Sequence, residues 1–593
     1  MASRFSALFL YSAITKLMDA RLTSSSLIKK GLKLFFVILL PLGGLWIAHH
    51  YFNVFRFDNS AVGERIYNQG IDSSGKPLQG QTEGDIEFKD AHFNCAQCHR
   101  RSGYGSSEGG NYVLPVTGAS LFNPRRFDRA DLFKKLFKES QSKLFWARMR
   151  SSYQRPAYTD ESLALAIREG IDPSGRKLSS LMPRYKINDH DMAGLTAYLK
   201  NLSSHNDPGV DENTIYFATV VSQNANADNK NAMLSTIEKF VEWLNLETKG
   251  NLDHPNFSPS YRSDFAKAFR IWNHEVWELS DNPAEWPKEL AAHYQKKPVF
   301  ALIGGMAEGN WAPIHEFCEK NSVPCLFPLT QLPPVEQPGH YSIYFNQGLL
   351  LEAKAIAKYL LKEKKPDPAA PIAVFHADDV EGSKPARVFI QTLSADKALA
   401  VESIPVKDME SFRLEWTKYM ESHPRIGKVV VWPGKLGSAI LSELAARAQT
   451  IEQIFLPSEL LQADLTSVSK ELAPKLYFSY PYELPTAYHP RAFRVRAWMN
   501  TRRLPISNAR VQFNTYYALN LLQYGLEHVV DHFSRDYLLE YIEHEAENAL
   551  NPGTFPRLSL GPEQRFASKG AYLVQLDASG MQPVKPVSSW IVP

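Results

Sequence analysis

Cys95-Ala96-Gln97-Cys98-His99 sets two thiols three residues apart with an imidazole directly after the second. Three chemistries could use that set. A redox dithiol of the thioredoxin kind sits at a helix start after a strand and has no use for His99. A zinc site needs two further Cys or His ligands at comparable spacing. The other two of the chain's four cysteines, Cys318 and Cys325, lie more than 200 residues away. Covalent attachment of haem c uses all three groups: thiols one helical turn apart add to two vinyl groups, and the imidazole binds the iron from one face. The motif therefore predicts one haem c, bonded through Cys95 and Cys98, with His99 as an axial ligand.

A second axial ligand is sought downstream, in REGIDPSGRKLSSLMPRYKINDHDMAGLTAYLKNLSS. A polar loop delivers Met182-Pro183, and a helix capped by Asn188 or Asp189 follows, with Met192, Leu195, Leu199 and Leu202 on its apolar stripe. A loop-borne thioether is a soft ligand, and a His99/Met182 pair raises the reduction potential. Met149 and Met192 are the alternatives; Met192, on the stripe, reads as core packing. These two motifs, about 80 residues apart, resemble class I cytochrome c domains over Asn59 to Leu202. The resemblance implies an all-α domain in which His99 and Met182 complete the haem cage, here with a long insertion between the motifs. An internal echo, NQGIDSSGKPL at Asn68 to Leu78 and REGIDPSGRKL at Arg168 to Leu178, accompanies a single CxxCH. It is read as two similar hairpin or loop elements of one mono-haem domain.

Leu34 to Ala48 is uninterrupted apolar or small sequence with Lys29, Lys30 and Lys33 before it and Trp46, Tyr51 and Phe52 at its far end. With its flanks the run approaches the roughly 20 residues of a spanning helix. Lysines on the near side keep that end in the cytoplasm. The expected arrangement is a cytoplasmic tail at 1–30, a single-pass inner-membrane anchor at 31–52, and the bulk of the chain in the periplasm; a cleaved signal peptide is the competing reading. A hydrophobic content of 44% with 22% charge describes a folded multidomain chain of 593 residues. A net charge of +3, with no basic stripe interleaved with aromatics, speaks against nucleic acid as a partner.

After the haem domain, placed at 53–205, SSHNDPGVDEN reads as a linker at 206–212. Short β-rich runs then alternate with helical stretches from TIYFATVV through PVFALIGG and KVVVWPG to KLYFSYP. That alternation predicts βαβ units on mostly parallel sheets, enough for two α/β lobes over 213–593. On this order, and on PVFALIGGMAEGNWAPIHEFCEKNSVPCLFPLT, the region resembles the type 1 periplasmic binding proteins, the branched-chain amino acid receptors of ABC transporters. The resemblance implies a ligand cleft at strand carboxyl ends. By position, Gly305, Met306, Asn310, Trp311 and Thr330 would line it from the first lobe, and Asp378 and Trp432 from the second. In an oxidising compartment Cys318 and Cys325 can form a disulfide pinning a helix to the next strand.

Two functions follow. One is a membrane-anchored, non-enzymatic electron carrier whose second domain docks a small ligand or a periplasmic redox partner such as a dehydrogenase. The other is a solute receptor for an ABC permease or sensor with an accessory haem. A haem peroxidase would need an open or displaceable iron site and usually a second haem, which one CxxCH and a Met ligand do not supply.

Overall fold

The computed structural model describes residues 60–82, 86–108, 111–125, 155–253, 270–337, 339–362, 371–394, 400–423, 426–445, 451–462, 465, 468–469, 471–485, 490–529, 532–577 and 583–593. The tail at 1–30, the membrane anchor at 31–52 and Met149 lie outside the described residues. Among the described residues no helix is long and apolar enough to cross a membrane. The chain divides into two compact units. The first runs to Leu202 without Arg100–Gly105; the second comprises Arg100–Gly105 and Ser203–Pro593.

In the first unit, helix α1 covers 60–69. Short helices α2 (Cys95–His99) and α3 (Gly118–Phe122) precede α4 (Asp160–Glu169) and α5 (Asp189–Asn201). Asn188 caps α5, its side chain accepting from the Asp191 N–H. The unit is not all-α: β1 (Gln79–Gln81), β2 (Glu87–Lys89) and β5 (Arg184–Tyr185) form an antiparallel sheet in the order β2-β1-β5, and β3 (Ser106–Glu108) pairs with β4 (Asn111–Val113). Strands of two or three residues are too short to leave a period-two pattern, so the sequence does not announce them. The echoed segments fold alike. Asp72 and Asp172 each accept from the N–H groups two and four residues on, and Leu78 and Leu178 donate to Gly70 and Gly170 at 2.8 Å. Gly70 and Gly170 end their helices with φ of 66° and 72°, a left-handed step that favours glycine.

The core of this unit joins Ile66, Tyr67, Leu163, Ile167, Tyr185, Met192, Leu195 and Leu199. Helices α1 and α5 meet glycine to glycine: a Cβ on Gly63 would stand 2.1 Å from the Gly194 carbonyl oxygen. Tyr67 and Tyr198 pack beside that crossing with ring centroids 5.4 Å apart.

The second unit has two α/β lobes. In lobe A, β6 (Thr214–Ser222), β7 (Ile271–Leu279), β8 (Ala301–Ile303), β9 (Cys325–Leu326) and β10 (Ser342–Ile343) form a parallel sheet in the order β10-β9-β8-β6-β7. Lobe B orders its strands β12-β11-β13-β14-β15-β16-β17. These are β11 (Ile372–Ala377), β12 (Val401–Val406), β13 (Ile426–Trp432), β14 (Ile451–Leu456), β15 (Leu476–Tyr480), β16 (Tyr572–Leu576) and β17 (Val584–Pro586). The first five are parallel and the last two antiparallel. Each sheet begins its winding at an interior strand, β6 or β11, reversing direction beside β8 or β13, which opens a crevice at the strand carboxyl ends. Helices α6 (Ala227–Asp253), α7 (Trp286–Lys296) and α8 (Ala312–Asn321) belong to lobe A, while α9 (Leu349–Lys362), α10 (Val380–Leu393), α11 (Met409–Ser422) and α12 (Ile440–Ala445) belong to lobe B. The chain then returns: α13 (Pro490–Thr501), α14 (Ala509–Val529) and α15 (Arg535–Glu545) pack into the lobe A core before β16 closes lobe B.

Residues 206–212, expected as a linker, are docked on this unit. Asp207 accepts from the Arg535 N–H at 2.7 Å, and a Cβ on Gly209 would stand 2.1 Å from the Phe300 nitrogen. Polar, Pro- and Gly-bearing composition marks a turn equally well when a buried partner fixes it.

Gly63→Ala is expected to force α1 and α5 apart and destabilise the first unit by about 1–3 kcal/mol, the usual cost of overpacking. Thermal unfolding followed through the tyrosine signal checks it, and a wild-type melting curve would be incompatible with the close crossing.

Candidate functional site

In the first unit, α2 is one turn long. Asn94 caps it by accepting from the Gln97 N–H at 3.0 Å. Cys95 and Cys98 are therefore one turn apart on one face, with Cys98 exposed and Cys95 partly buried. Burial pushes the Cys95 thiol up to about 12, the opposite of the lowered value a redox dithiol needs. Among the described residues no cluster of three or more His, Cys, Asp or Glu side chains stands ready for a metal ion, which leaves the zinc reading without ligands there.

His99 Nδ1 lies 2.9 Å from the Leu114 carbonyl oxygen. With Nδ1–H donating to that carbonyl, the lone pair is on Nε2, the arrangement seen in metal-bound histidines. Burial lowers the His99 pKa and the carbonyl partly opposes it, so the ring is held neutral near pH 7.

Cys95, His99 and Met182 all border one cavity of about 630 Å³, otherwise walled mainly by apolar side chains such as Leu121, Leu163, Ile167, Leu195 and Leu199. Met192 is 5% exposed in the core and is not on the cavity wall. Two arginines fix the walls by collecting backbone carbonyls. Arg155 donates to Leu121 O at 3.1 Å, Pro156 O at 2.8 Å, and Ser120 O. Arg184 donates to Met182 O, to Leu178 O at 3.1 Å and to Ser179 O at 3.2 Å, clamping the methionine loop. Cys95, Cys98, His99 and Met182 are the side chains that could hold a haem. The sequence does not signal Leu114, Arg155 or Arg184, since each acts through carbonyl oxygens that every residue carries.

The second unit has its own cavity, about 250 Å³, between the lobes. It lies where β6 and β8 end, at the switch point of the lobe A sheet, with Asn226, Met306, Glu308 and Thr330 on that side. Glu352, Glu381, Gln462 and Tyr482 face them, and Asn508, Arg510 and Phe555 complete the wall. Of the residues expected to line a cleft, Met306 and Thr330 do so and the others do not. Trp311 is 1% and Trp432 0% exposed, each within a sheet–helix core. The Trp311 ring covers Gly305, where a Cβ would meet it at 2.7 Å, so that glycine (φ 122°) serves the turn. Asn310 accepts from the Ala312 N–H at the start of α8, and Asp378 is exposed beyond β11. Large aromatics at a strand's carboxyl end or in the turn beyond it are as useful for covering the sheet as for meeting a ligand, and here they cover it.

Carboxylates gather on the lobe B side. Glu352 accepts from Ser458 N and Oγ, both at 2.7 Å, and from Ser479 Oγ; burial still raises its pKa. Glu381 accepts from the Gly309 N–H of lobe A at 3.2 Å, a hydrogen bond across the cavity mouth, and burial followed by Asp379 raises its pKa. Burial, with Glu352, Glu381 and Asp379 nearby, pushes Glu459 up to about 8.

Cys318 and Cys325, expected as a disulfide, are free buried thiols. They touch, and burial with the contact to Cys325 raises the Cys318 pKa.

No protein-family model and no curated protein matches the chain. Solved structures do. A branched-chain amino acid ABC transporter protein from Thermus thermophilus with bound valine is 12% identical, with a TM-score of 0.49, over 65% of this chain and 98% of that one. A fatty acid ABC transporter substrate-binding protein from Thermomonospora curvata is 15% identical, with a TM-score of 0.48, over 66% and 95%. A solute binding protein of an ABC transporter from Rhodopseudomonas palustris BisB5, in complex with 3,4-dihydroxy benzoic acid, is 13% identical, with a TM-score of 0.47, over 64% and 97%.

The Glu459 environment gives a pH dependence. Its folded pKa of about 8 lies above the unfolded carboxylate value near 4.3, so the folded state binds the extra proton. Stability is fully present below about pH 4.3 and is lost as pH rises through about 8. Glu459→Gln, which keeps the neutral shape, is expected to raise the melting temperature at pH 9 and to shrink the fall between pH 5 and 9. A variant as pH-sensitive as the wild type would show that Glu459 is not held protonated.

Proposed function

We propose that this protein joins a one-electron carrier to a small-molecule receptor: the first unit is a mono-haem cytochrome c domain, and the second captures a solute between its lobes. The observation that carries the haem reading is the convergence of Cys95, His99 and Met182 on one apolar cavity of about 630 Å³. Cys95 and Cys98 would bond the haem, and His99 Nε2 and the Met182 thioether would hold its iron. When bound, the haem supplies a one-electron Fe(III)/Fe(II) couple.

The chain's own residues do the rest. The Leu114 carbonyl orients the His99 ring and keeps Nε2 aimed as a donor. The apolar wall excludes water, which favours the less charged, reduced state. Arg184 fixes the backbone on both sides of Leu181 and Met182, limiting the loop motion that would let water replace the sulfur.

The receptor half rests on the interlobe cavity at the strand carboxyl ends. A two-lobed receptor of this kind would serve an ABC permease or a sensor, and the haem would exchange electrons with a periplasmic redox partner such as a dehydrogenase. Both roles place the two units in the periplasm, held at the inner membrane by the apolar segment at 31–52.

Haem staining after denaturing electrophoresis tests the attachment: Cys95→Ala with Cys98→Ala is expected to abolish it, and persistence would place the haem elsewhere. Met182→Ala should keep covalent haem but lose the weak sulfur-to-iron absorption band and lower the potential. Arg184→Met should weaken the same band, more so on warming, with attachment intact. An unchanged spectrum in Met182→Ala would remove Met182 as ligand.

A further inference from the structure

The electrostatics of the interlobe cavity identify what it takes. Residues in or beside the first turns of four helices border it: Asn226 and Asn229 for α6, Gly348 and Glu352 for α9, Glu381 for α10, and Asn508 and Arg510 for α14. Each helix N-terminus carries about half a positive charge and unpaired N–H groups. Three of them answer it from within, with Asp228, Glu352 and Glu381 in their first turns. Helix α14, 21 residues long, has no acidic residue in its first turn and instead sets a cation there. A cation in that position is repelled by the helix dipole.

Among the described residues Arg510 is also the one cation on this cavity wall. Its guanidinium lies 3.6 Å from the Tyr482 ring centroid, stacked on the aromatic face, and Nη1 is buried without a hydrogen-bond partner. The neighbouring carboxylates have donors of their own: Glu352 has Ser458 and Ser479, and Glu381 has Gly309. Asn508 caps α14 by accepting from the Val511 N–H at 3.2 Å, and the guanidinium acts on Tyr480 and Glu352; what remains unanswered on this wall is Nη1.

We infer that the cleft binds a small monocarboxylate with an apolar or aromatic body, its carboxylate on Arg510. This rests on the receptor reading of the second unit. One arginine on a wall shared with Glu308, Glu352 and Glu381 suits a single negative charge and penalises a dianion such as phosphate. The body of the ligand meets Phe345, Tyr482 and Phe555, whose rings pack at 5.3 Å (Phe345–Phe555) and 5.5 Å (Tyr482–Phe555). A volume of about 250 Å³ lies just under the usual range for drug-sized ligands, roughly 300–1,000 Å³, and limits the ligand to a small one.

Calorimetric titration and thermal shift of the full chain test this with benzoate, phenylacetate and isovalerate, each beside its amide and its amine, and with inorganic phosphate. The carboxylates are expected to bind at least tenfold more tightly than their amides and to raise the melting temperature with concentration. Arg510→Gln should lose at least tenfold in carboxylate affinity, and Arg510→Lys should retain part of it. Should Arg510→Gln fail to fold, the ranking of probes on the wild type decides. Tighter binding of amines, amides or phosphate than of carboxylates, or wild-type benzoate affinity in Arg510→Gln, overturns the carboxylate assignment and leaves the receptor reading standing. If no probe of any charge binds, both fall.

Discussion

One buried guanidinium organises lobe A. Arg535, 3% exposed, sits in the first turn of α15 and donates to the carbonyl oxygens of Val299 (2.7 Å), Phe300 (3.0 Å), Ser322 (3.0 Å) and Pro208 (3.0 Å). Those acceptors come from the segment entering β8, the end of α8 and the stretch that enters the unit. Losing the donor would strand buried carbonyls at about 1–3 kcal/mol each. Asp207 complements the charge through the α15 N-terminus. The staple lies at the end of the sheet where β8 begins, opposite the end that borders the cavity. Tightening one end lets the loops at the other carry polar groups for a ligand rather than for the fold.

The first unit solves a harder version of the same problem. A cavity of about 630 Å³ is large for a domain this size, and its walls are largely loops and one-turn helices without extended ladders. Arg155 and Arg184 replace the missing ladders, each tying several carbonyls from one wall segment. Rigid walls would matter to the proposed haem, because a thioether is a weak ligand and a loop free to move by an ångström would give its position to water. Burial of His99 and Cys95 follows from the same walls and keeps one neutral and the other protonated.

What could be read in the sequence was what local spacing encodes. Cys95, Cys98 and His99 lie within one turn, Asn188 precedes an amphipathic helix, and Met192 falls on its stripe; each is decided by residues a few positions away. The alternation of strands and helices likewise revealed two α/β lobes without long-range information. The cavity wall was not legible, because it depends on sheet order. Arg510 reaches the cavity some 280 residues after Asn226 through the return of the chain to lobe A, and nothing near Arg510 in sequence says so. Trp311 and Trp432 misled for the converse reason: their position at or beyond strand carboxyl ends matched a cleft, while their size suited the core. The docked segment 206–212 depended on Arg535, more than 300 residues away.

Of the two copies of the internal echo, one reaches the cavity wall and the other does not. Both copies end a helix in a left-handed glycine, turn on an aspartate and return a leucine N–H to the glycine carbonyl. They then rejoin, since β1, directly after Leu78, pairs antiparallel with β5 through Gly80 and Tyr185. The difference lies between leucine and strand. The first copy enters β1 at Gln79 at once, whereas the second runs through Ser179–Pro183 before β5 begins at Arg184. Those five residues are the length that lets Met182 reach the cavity wall while Arg184, the first residue of the strand, holds their backbone. The first copy, with no such insertion, stays off the cavity wall. A pair of matched supports with one extended arm suits the proposed haem site, which would draw one loop-borne ligand from the longer copy.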